Sequence, residues 1–355
     1  MHTTTLRSNH GEMAGRYVVV GAGAVGATVA AQLHLAGTDV VLIARGSNLD
    51  VLRAKGLRYM RPDGVRMVPV PVAAGPGEVT LRPDDVLVLA VKSQNAEEAI
   101  AEWAWQPVVD DDEERPAATT LPLVLMQNGL DTARTALRRF ATVVDSVVLS
   151  GASHVRPGEV VSPGSPLAGG FYLGDAPTGA GEHAQRIAVD LRAAEFAVQV
   201  VPDIARWKVG KLLANLWWNL DALYRRSRLR SKLGDALCAE AEVVLEAAGY
   251  DQRTSTPDEL DRSWFESVDV PGHRRGGSST WQSLARGGSA EGDYLYGEIV
   301  LLARMNGLRA PLNEAVQARL ATMAQRHQRP RSLPMSDIAD LLGYTGVARP
   351  LAALL

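Results

Sequence analysis

Three polar residues recur on one face of an otherwise apolar segment in the second half of the chain. Lys211, Asn215 and Asn219 stand at i, i+4 and i+8 within 206–224, where leucine and tryptophan occupy many of the other positions. This spacing predicts a single buried helix with one polar stripe. Because an ammonium or amide group is costly to bury without partners, the stripe must meet a polar network, water or a ligand. A lysine in such a place can donate a proton to a carbonyl oxygen, and an interdomain salt bridge is the structural alternative.

Two further polar residues directly follow apolar runs that we predict to be buried strands. Lys92 comes after the run at 86–91, and Asn128 follows the run at 121–126. In open α/β sheets, ligands bind beyond the carboxyl ends of the strands, so we expect both side chains to face a ligand-binding cleft. A surface lysine and an Asn-Gly turn are the structural alternatives.

Ser279 and Glu291 have local explanations at predicted helix ends. Ser279 and Gln282 match a capping box, S-x-x-Q, at the start of a helix predicted over 280–286. Glu291 opens a second predicted helix, over 291–306, where the helix dipole favours a carboxylate. On local grounds alone, these structural roles are favoured over functional ones.

A glycine-rich turn near the start of the chain predicts a nucleotide-binding site. Apolar runs at 17–20 and 40–43 flank a G-x-G-x-x-G sequence and a small-residue helical segment that ends at Gly37. This order of strand, turn, helix and strand is the context that the dinucleotide fingerprint requires. The first glycine allows the tight turn, the second lets the backbone approach a pyrophosphate, and the third lets the helix pack on the strand. The helix N-terminus then presents N–H groups to the phosphates. The predicted cofactor-binding residues of this turn are Gly21, Ala22, Gly23, Ala24, Val25 and Gly26.

The end of the second strand indicates the type of dinucleotide. An NAD site usually places Asp or Glu there to hold the ribose 2′-hydroxyl, but this strand ends with Ile43, Ala44 and Arg45. Arg45 can pair with a 2′-phosphate, so NADP(H) is favoured over NAD(H). An ordinary solvated arginine is the alternative for this position.

The overall composition is ordinary for a globular protein and limits the classes of partner. The chain has 355 residues, a formal net charge of −3 and one cysteine, Cys238. The charge gives no indication of nucleic acid or an anionic membrane as a partner. A single cysteine excludes an intramolecular disulfide and a cysteine-based zinc cluster, and we expect no metal site. We expect a cytoplasmic protein, because no apolar run is long enough to span a bilayer and the polar N-terminus lacks a signal peptide's apolar core.

The pattern of apolar runs changes near residue 202. Before it, strands and helices alternate, which predicts an α/β Rossmann-type domain with a mainly parallel sheet over 16–202, preceded by a flexible tail at 1–15. After it, helical periods dominate, which predicts an all-helical domain over 203–327 and a C-terminal extension over 328–355. The layout places a nucleotide-binding domain before a helical domain that carries the Lys211 stripe.

Several segments carry more specific expectations. In the first domain we expect a hairpin over 57–72, a solvated acidic loop at 110–114 and irregular strands over 150–174 that extend the sheet. In the second domain we expect long helices, at 206–224, 234–248, 291–306 and 312–325. The apolar faces of the second and fourth of these helices would suit the protein core or a homodimer contact equally well.

Five segments, taken in order, resemble the ketopantoate (2-dehydropantoate) reductase family. They are GAGAVG at 21–26, VKS at 91–93, QNGL at 127–130, WKVGKLLAN at 207–215 and SSTWQSLARGGSAEGDYLYGE at 278–298. The resemblance extends from about residue 16 to about residue 325. It implies a helical domain with the C-terminal architecture of 6-phosphogluconate dehydrogenase, NADP(H) as cofactor and a keto acid as substrate.

The resemblance also implies a role for each candidate residue. The family's general acid is a helix lysine four residues before an asparagine, which corresponds to Lys211 and not to Lys208. Glu291 matches the glutamate that binds the substrate hydroxyls, and Ser279 matches the serine that holds the substrate carboxylate, so the resemblance reverses the local preference at both positions. The remaining matches are the pocket amides Asn128, Asn215 and Asn219 and the strand-end lysine near the nicotinamide, Lys92.

Together these features predict an NADPH-dependent reductase of a 2-keto acid, with 2-dehydropantoate as the first candidate substrate. The chain departs from the family at Asn219-Leu220-Asp221, where the family usually has Asn-Pro-Leu. A homologous reductase of another ketone or imine is therefore one alternative, and a non-catalytic NADP(H)-binding sensor is another. A sensor has no need for a charged proton donor in its cleft, so Lys211 argues against it.

Overall fold

The computed structural model describes residues 15–110, 113–251 and 260–343. The predicted tail at 1–15, apart from Gly15, and the end of the predicted C-terminal extension lie outside these ranges. The strands are β1 (Tyr17–Val20), β2 (Val40–Ile43), β3 (Leu57–Arg61), β4 (Gly64–Val68), β5 (Val72–Ala73), β6 (Val86–Leu89), β7 (Pro107–Asp110), β8 (Glu113–Pro116), β9 (Leu123–Leu125), β10 (Val143–Leu149), β11 (Ser153–Arg156), β12 (Glu159–Val161), β13 (Gly164–Pro166), β14 (Gly169–Asp175), β15 (Phe196–Val200) and β16 (Phe265–Ser267). The helices are α1 (Ala24–Leu35), α2 (Gly46–Lys55), α3 (Ala96–Ala104), α4 (Ala117–Thr120), α5 (Asp131–Ala136), α6 (Glu182–Ala193), α7 (Ile204–Trp218), α8 (Arg228–Ala247), α9 (Ser279–Ala285), α10 (Gly292–Met305), α11 (Pro311–Gln325) and α12 (Met335–Leu341).

The N-terminal domain is built on an eight-stranded, mainly parallel sheet. Its strand order is β15-β14-β10-β9-β6-β1-β2-β5, and the β10–β14 pair is antiparallel. Every residue of β1 and β6 is buried, because helices cover both faces of the sheet and leave these strands no contact with water. The predicted fold class is confirmed. The carboxyl ends of β1, β6 and β9 lie at one edge of the sheet, since these strands are parallel.

The segment 150–174 only partly extends this sheet. β14 joins the large sheet, but β11 and β12 form a second sheet with the predicted hairpin, β3 and β4, in the order β11-β12-β3-β4. β13 pairs instead with β16. The prediction that the whole segment extends the sheet is therefore wrong for three of its four strands. The tight turn at Gly158, with φ of 76°, reverses the chain between β11 and β12, and β12 then pairs with β3 and not with a strand of the large sheet.

The acidic stretch at 110–114 is not a loop, because its ends are paired strands. β7 and β8 form an antiparallel hairpin whose tip, residues 111–112, lies outside the described residues. The hairpin is tied to the domain by the backbone N–H of Val109, which donates to the Leu81 carbonyl over 3.1 Å. Buried Val108 also anchors it. Glu113 and Glu114 are exposed, as expected for a solvated acidic run.

The C-terminal domain is helical, and its first helix is shorter than predicted. α7 ends at Trp218 and is followed by a 3₁₀ turn, Asn219–Ala222. The apolar pattern continues through this turn because Leu220, like the residues of α7 that face the core, is fully buried. Trp218 is 63% exposed, so the helix is not buried on all sides.

The next helix begins earlier than predicted. α8 starts at Arg228, not at residue 234, because the Ser227 hydroxyl caps it by accepting from the backbone N–H of Arg230 over 3.0 Å. Further along the chain, residues 328–343 pack on the same helical core through buried Ile338 and an ion pair between Arg319 and Asp337. No helix in the described ranges has the combined length and apolarity needed to cross a membrane.

Candidate active site

The glycine-rich turn joins β1 to α1 in a geometry that requires two of its glycines. Gly21 has φ of +114°, a conformation that other residues rarely adopt. A Cβ added to Gly26 would lie 2.0 Å from the Gly21 carbonyl oxygen, so only glycine allows α1 to start this close to β1. By contrast, a Cβ on Gly23 would meet no atom within 4 Å, which leaves open space beside its backbone.

The start of α1 faces this space with free donors. Gly23 is the N-cap and its position has no side-chain cap, so the first-turn N–H groups of α1 have no capping partner. Helix N-termini with free N–H groups bind phosphate, and the aligned peptide dipoles add to the attraction. The uncapped N–H groups and the open space beside Gly23 suit a phosphate group, the ligand part predicted for 21–26.

Arg45 lies at the end of β2, as expected, and is the N-cap of α2. Its side chain is 60% exposed and pairs with Glu102 Oε2 at 2.5 Å.

Asn48, which sequence reasoning did not identify, links this region to the glycine turn. Its amide donates to the Ala22 carbonyl over 3.0 Å and its oxygen accepts from the backbone N–H of Gly158 over 2.7 Å. An asparagine in the first turn of a helix gives no signal of such a role.

Of the two lysines on α7, Lys208 is the one in a salt bridge. Its ammonium donates to Asp145 Oδ1 over 2.9 Å and to the Gln127 carbonyl over 2.7 Å. Only 4% of its side chain is exposed. The structural alternative raised for Lys211 therefore applies to its neighbour, which ties α7 to β10 and to the end of β9.

Lys211 is in a different environment. Among the described residues its ammonium has no hydrogen bond or ion pair. Burial first, and then the positive charges of Arg262 and Arg275, together lower its pKa to about 8. Both arginines are exposed, and neither has a hydrogen bond or ion pair within the described part of the chain. Lys211 is thus a poorly solvated cation that exchanges a proton readily near neutral pH and that lies in a positively charged environment.

The two asparagines that share the stripe with Lys211 have different surroundings. Asn215 Nδ2 donates to Asn128 Oδ1 over 3.2 Å, so the helix amide meets the amide beyond the end of β9. Asn219 lies in the 3₁₀ turn and is 2% exposed. Its Nδ2 has no hydrogen-bond partner in the described residues. A buried donor without a partner is unusual in a folded protein and is typical of a site that receives water or a ligand.

Glu291 joins the helical domain to the N-terminal domain. Its Oε1 accepts from both the backbone N–H and the hydroxyl of Ser93, over 3.0 and 2.9 Å. Ser93 follows Lys92 directly, at the start of the 3₁₀ turn Ser93–Asn95. No hydrogen bond of Glu291 Oε2 occurs within the described ranges, so this oxygen remains free to accept from another group. Glu291 is the N-cap of α10 and not part of its first turn.

Lys92 reaches across to the same part of the helical domain. Its ammonium donates to the Ser289 carbonyl over 2.6 Å and to the Ser283 hydroxyl over 3.1 Å. Burial lowers its pKa, while the Glu291 carboxylate acts in the opposite direction. Lys92 is therefore not an ordinary surface lysine, and it lies close enough to Glu291 for the two charges to interact.

Ser279 is exposed, and its hydroxyl has no hydrogen-bond partner among the described residues. The predicted capping box is wrong by one residue, because Ser278 is the N-cap of α9 and accepts from the backbone N–H of Trp281 over 3.2 Å. Ser278 also contacts Asp221, in the 3₁₀ turn after α7. Only Ser279 has a glutamine three residues later, so the sequence pattern favours Ser279, whereas in the structure Ser278 is the cap and is held by Asp221.

The structure thus brings several of the predicted residues together at two places along the edge of the sheet. The cluster of Lys92 and Glu291 and the pair of Asn128 and Asn215 connect the ends of β6 and β9 to the helical domain. The glycine turn and Arg45 lie at the ends of β1 and β2. This arrangement can hold a dinucleotide along the edge of the sheet and a small anion beside α7.

Profiles of one protein family match most of the chain. The family described as ketopantoate reductase PanE/ApbA matches residues 17–177, and its C-terminal part matches residues 203–324. A 2-dehydropantoate 2-reductase from Mycobacterium tuberculosis is 30% identical over 327 residues, which span 87% of this chain and 98% of that protein. A 2-dehydropantoate 2-reductase from Pyrococcus horikoshii is 24% identical and spans 83% of this chain and 93% of its own length.

Solved structures with the same fold match this chain over nearly their whole length. A ketopantoate reductase of the PanE/ApbA family from Ralstonia eutropha superimposes with a TM-score of 0.70 at 22% identity, over 88% of this chain and 99% of that chain. A D-mandelate dehydrogenase solved with NADH and anilino(oxo)acetate also has a TM-score of 0.70, at 16% identity, over 88% of this chain and 99% of its own. At these identities the similarity shows a common fold.

Proposed function

Because the chain belongs to the ketopantoate reductase family, we propose that it reduces the keto group of a 2-keto acid with a pyridine nucleotide. The first candidate substrate is 2-dehydropantoate and the favoured cofactor is NADPH. One observation carries the proposal most directly. Lys211 is a partly buried ammonium without a partner in the described residues, and its pKa is lowered to about 8.

Lys211 is suited to act as the general acid. An ammonium whose pKa lies close to the working pH both holds its proton and releases it at little cost. It would donate a hydrogen bond to the keto oxygen and then the proton, as negative charge develops on that oxygen. The alternative lysine, Lys208, is unsuited because its ammonium is already bound to Asp145 and to a carbonyl.

The residues at the ends of β1 and β2 are suited to bind a dinucleotide cofactor. When bound, NADPH supplies a hydride to the keto carbon. The first-turn N–H groups of α1 would bind its pyrophosphate, and Gly23 leaves room for close approach. Arg45 would bind the 2′-phosphate, in exchange for its contact with Glu102.

The remaining polar groups are suited to orient the substrate. Glu291 Oε2 would accept a hydrogen bond from a substrate hydroxyl, because Oε1 is held by Ser93. The buried amide of Asn219 would donate to the substrate. The charges of Arg262 and Arg275 near Lys211 favour an anionic substrate and disfavour a neutral ketone. Ser279 is proposed as the contact to the substrate carboxylate on the strength of the family resemblance.

The closest alternative is a homologous reductase with a different ketone or imine substrate. The observation that favours it is Asp221, which binds Ser278 beside the proposed carboxylate contact at a position where the family usually has leucine. A substrate panel distinguishes the two, because both share the cofactor and the acid.

The test follows NADPH oxidation at its absorbance band with 2-dehydropantoate and a panel of other 2-keto acids, ketones and imines. We expect saturable activity with a 2-keto acid. Lys211→Ala should lower kcat by about 10²–10⁴-fold and leave the Kd for NADPH nearly unchanged, because the acid acts only in the chemical step. Lys232→Ala, an exposed lysine on α8, is the matched control and should be as active as the wild type.

Two results would count against the proposal. Equal loss of kcat and NADPH binding in Lys211→Ala would mean that the lysine supports the structure and is not the acid. NADPH binding by fluorescence without oxidation on any member of the panel would leave the cofactor site in place and favour the non-catalytic sensor.

A further inference from the structure

Asp221 holds the start of α9 by two hydrogen bonds. Its Oδ2 accepts from the Ser278 backbone N–H over 3.0 Å, and its Oδ1 accepts from the Ser278 hydroxyl over 2.5 Å. The carboxylate is 15% exposed, so these charge-assisted bonds are only partly screened by water. The chain before α9 passes very close, since a Cβ on Gly277 would lie 2.5 Å from Asp221 Oδ2. The serine pair at 278–279 is thus positioned from the 3₁₀ turn after α7.

Arg331 secures this arrangement from the segment 328–343. Its guanidinium donates to the Gly276 carbonyl over 2.7 Å and to the Asp221 carbonyl over 3.3 Å. The same group lies 3.7 Å from Asp221 Oδ2. The backbone N–H of Arg331 donates to the Ala222 carbonyl over 2.9 Å, with φ of 63° at Arg331 itself. Its guanidinium carbon also lies 5.4 Å from the centre of the Trp281 ring, on α9.

The other end of α9 contacts the nucleotide-binding domain. Ser283 accepts a hydrogen bond from Lys92, the residue that follows the β6 edge of the sheet. α9 is therefore held by Asp221 and Arg331 at its start and by Lys92 in its last turn. Its orientation over the cleft depends on both attachments.

We propose that Asp221 and Arg331 form a clamp that positions Ser279, the first residue of α9, to bind the anionic end of the substrate. Both are positioning residues, since they act through Ser278 and the backbone at 276–278. The proposal rests on the proposed function, because it assigns the clamp to the substrate end of that site. It also gives residues 328–343, beyond the part of the chain that the family profiles match, a role in substrate binding.

The clamp is a feature of this chain's own sequence. The family that the chain resembles usually has leucine where Asp221 stands, and leucine cannot accept the two Ser278 hydrogen bonds. A carboxylate at this position needs a nearby cation to compensate its partial burial; Arg331 forms the ion pair with it, and the charge of Arg230 also acts on it. The two residues are therefore expected to work as a pair.

The experiment compares two arginine variants that each remove an ion pair anchoring 328–343. Arg331→Met breaks the clamp, whereas Arg319→Met breaks only the pair with Asp337, away from α9. Steady-state kinetics give kcat and KM for the keto acid, and a fluorescence titration gives the Kd for NADPH. Hydrogen exchange of peptides covering 276–286 reports the order of α9 without relying on activity, and Tm reports overall stability.

For Arg331→Met we expect a KM about tenfold higher or more, with kcat and the NADPH Kd within about twofold of the wild type. A tenfold change corresponds to about 1.4 kcal/mol of substrate binding. Exchange in 276–286 should become faster. Arg319→Met should lower Tm without either effect, and Arg331→Lys should recover part of the KM, because an ammonium can still neutralise Asp221.

An unchanged KM and unchanged exchange in Arg331→Met would overturn the clamp, as would effects equal to those of Arg319→Met. If the wild type reduces no keto acid at all, the proposed function fails on its own. The exchange data then decide separately whether Arg331 orders α9. Faster exchange in Arg331→Met alone would support this ordering role, and equal exchange in the two variants would reject it.

Discussion

The pH dependence of keto-acid reduction offers the sharpest test of Lys211 as the acid. Reduction requires the protonated ammonium, so kcat/KM should fall as the pH rises through its pKa in the free enzyme. With a pKa of about 8, the protonated fraction is about 0.9 at pH 7 and about 0.09 at pH 9. We expect kcat/KM to fall about tenfold over this range, whereas an ordinary lysine would keep its proton until well above pH 9.

The causes of this low pKa predict how mutations should move the curve. Burial is the first cause, and the charges of Arg262 and then Arg275 add to it. Removing a nearby positive charge stabilises the ammonium, so Arg262→Met should raise the pKa and move the descending limb to higher pH. Arg275→Met should act in the same direction and less strongly. Because burial remains, the pKa of Lys211 should stay below the ordinary lysine value of 10.5 even when both arginines are replaced.

The assay measures kcat/KM for the keto acid from pH 6 to pH 10.5 at constant low ionic strength, since salt screens charges on exposed arginines. Arg274→Met is the matched control, because it removes an exposed charge next to Arg275 that does not act on Lys211. If kcat/KM falls at the same pH in all variants, or if the control shifts this fall equally, Lys211 is not the group responsible for it.

Two further predictions concern the cofactor and the stability of the fold. Arg45→Ala should raise the Kd for NADPH by about 10-fold or more and change the Kd for NADH little, because a charge-assisted hydrogen bond contributes about 1.5–3 kcal/mol. Equal effects on both titrations would argue against a 2′-phosphate contact. Lys208→Met leaves the buried Asp145 carboxylate without its cation and should lower the free energy of unfolding by about 3–5 kcal/mol. Urea unfolding measures this loss, and an unchanged midpoint would show that the pair is not needed for stability.

The nucleotide-binding half was predictable from the sequence because its signals are local. A tight turn between β1 and α1 requires glycine at fixed spacing, and the buried parallel strands require continuous apolar runs. These constraints act over a few residues, so the order of strand, turn and helix around Gly21 and Gly26 is evident from the sequence alone. The polar residues beyond the ends of β6 and β9 followed from the same rule.

Element ends were less predictable where two structures share one pattern. The leucines that continue the apolar pattern after Trp218 fit an α-helix and a 3₁₀ turn equally well, so the break before Asn219 was missed. The capping pattern before α9 favoured Ser279, because only Ser279 has a glutamine three residues later, but the cap is Ser278. In each case a contact from elsewhere in the fold decides, as Asp221 does for Ser278.

The sequence by itself determined which residue types lie along α7, but not what each side chain meets. Lys208 and Lys211 are three residues apart on the same helix, and only the tertiary structure pairs the first with Asp145, 63 residues away, and leaves the second without a partner in the described residues. The contact of Arg331 with Asp221 likewise joins positions 110 residues apart. Periodicity reports the face of an element, whereas the partner of a charge depends on how distant elements pack. That packing decides which groups are neutralised and which are left for chemistry.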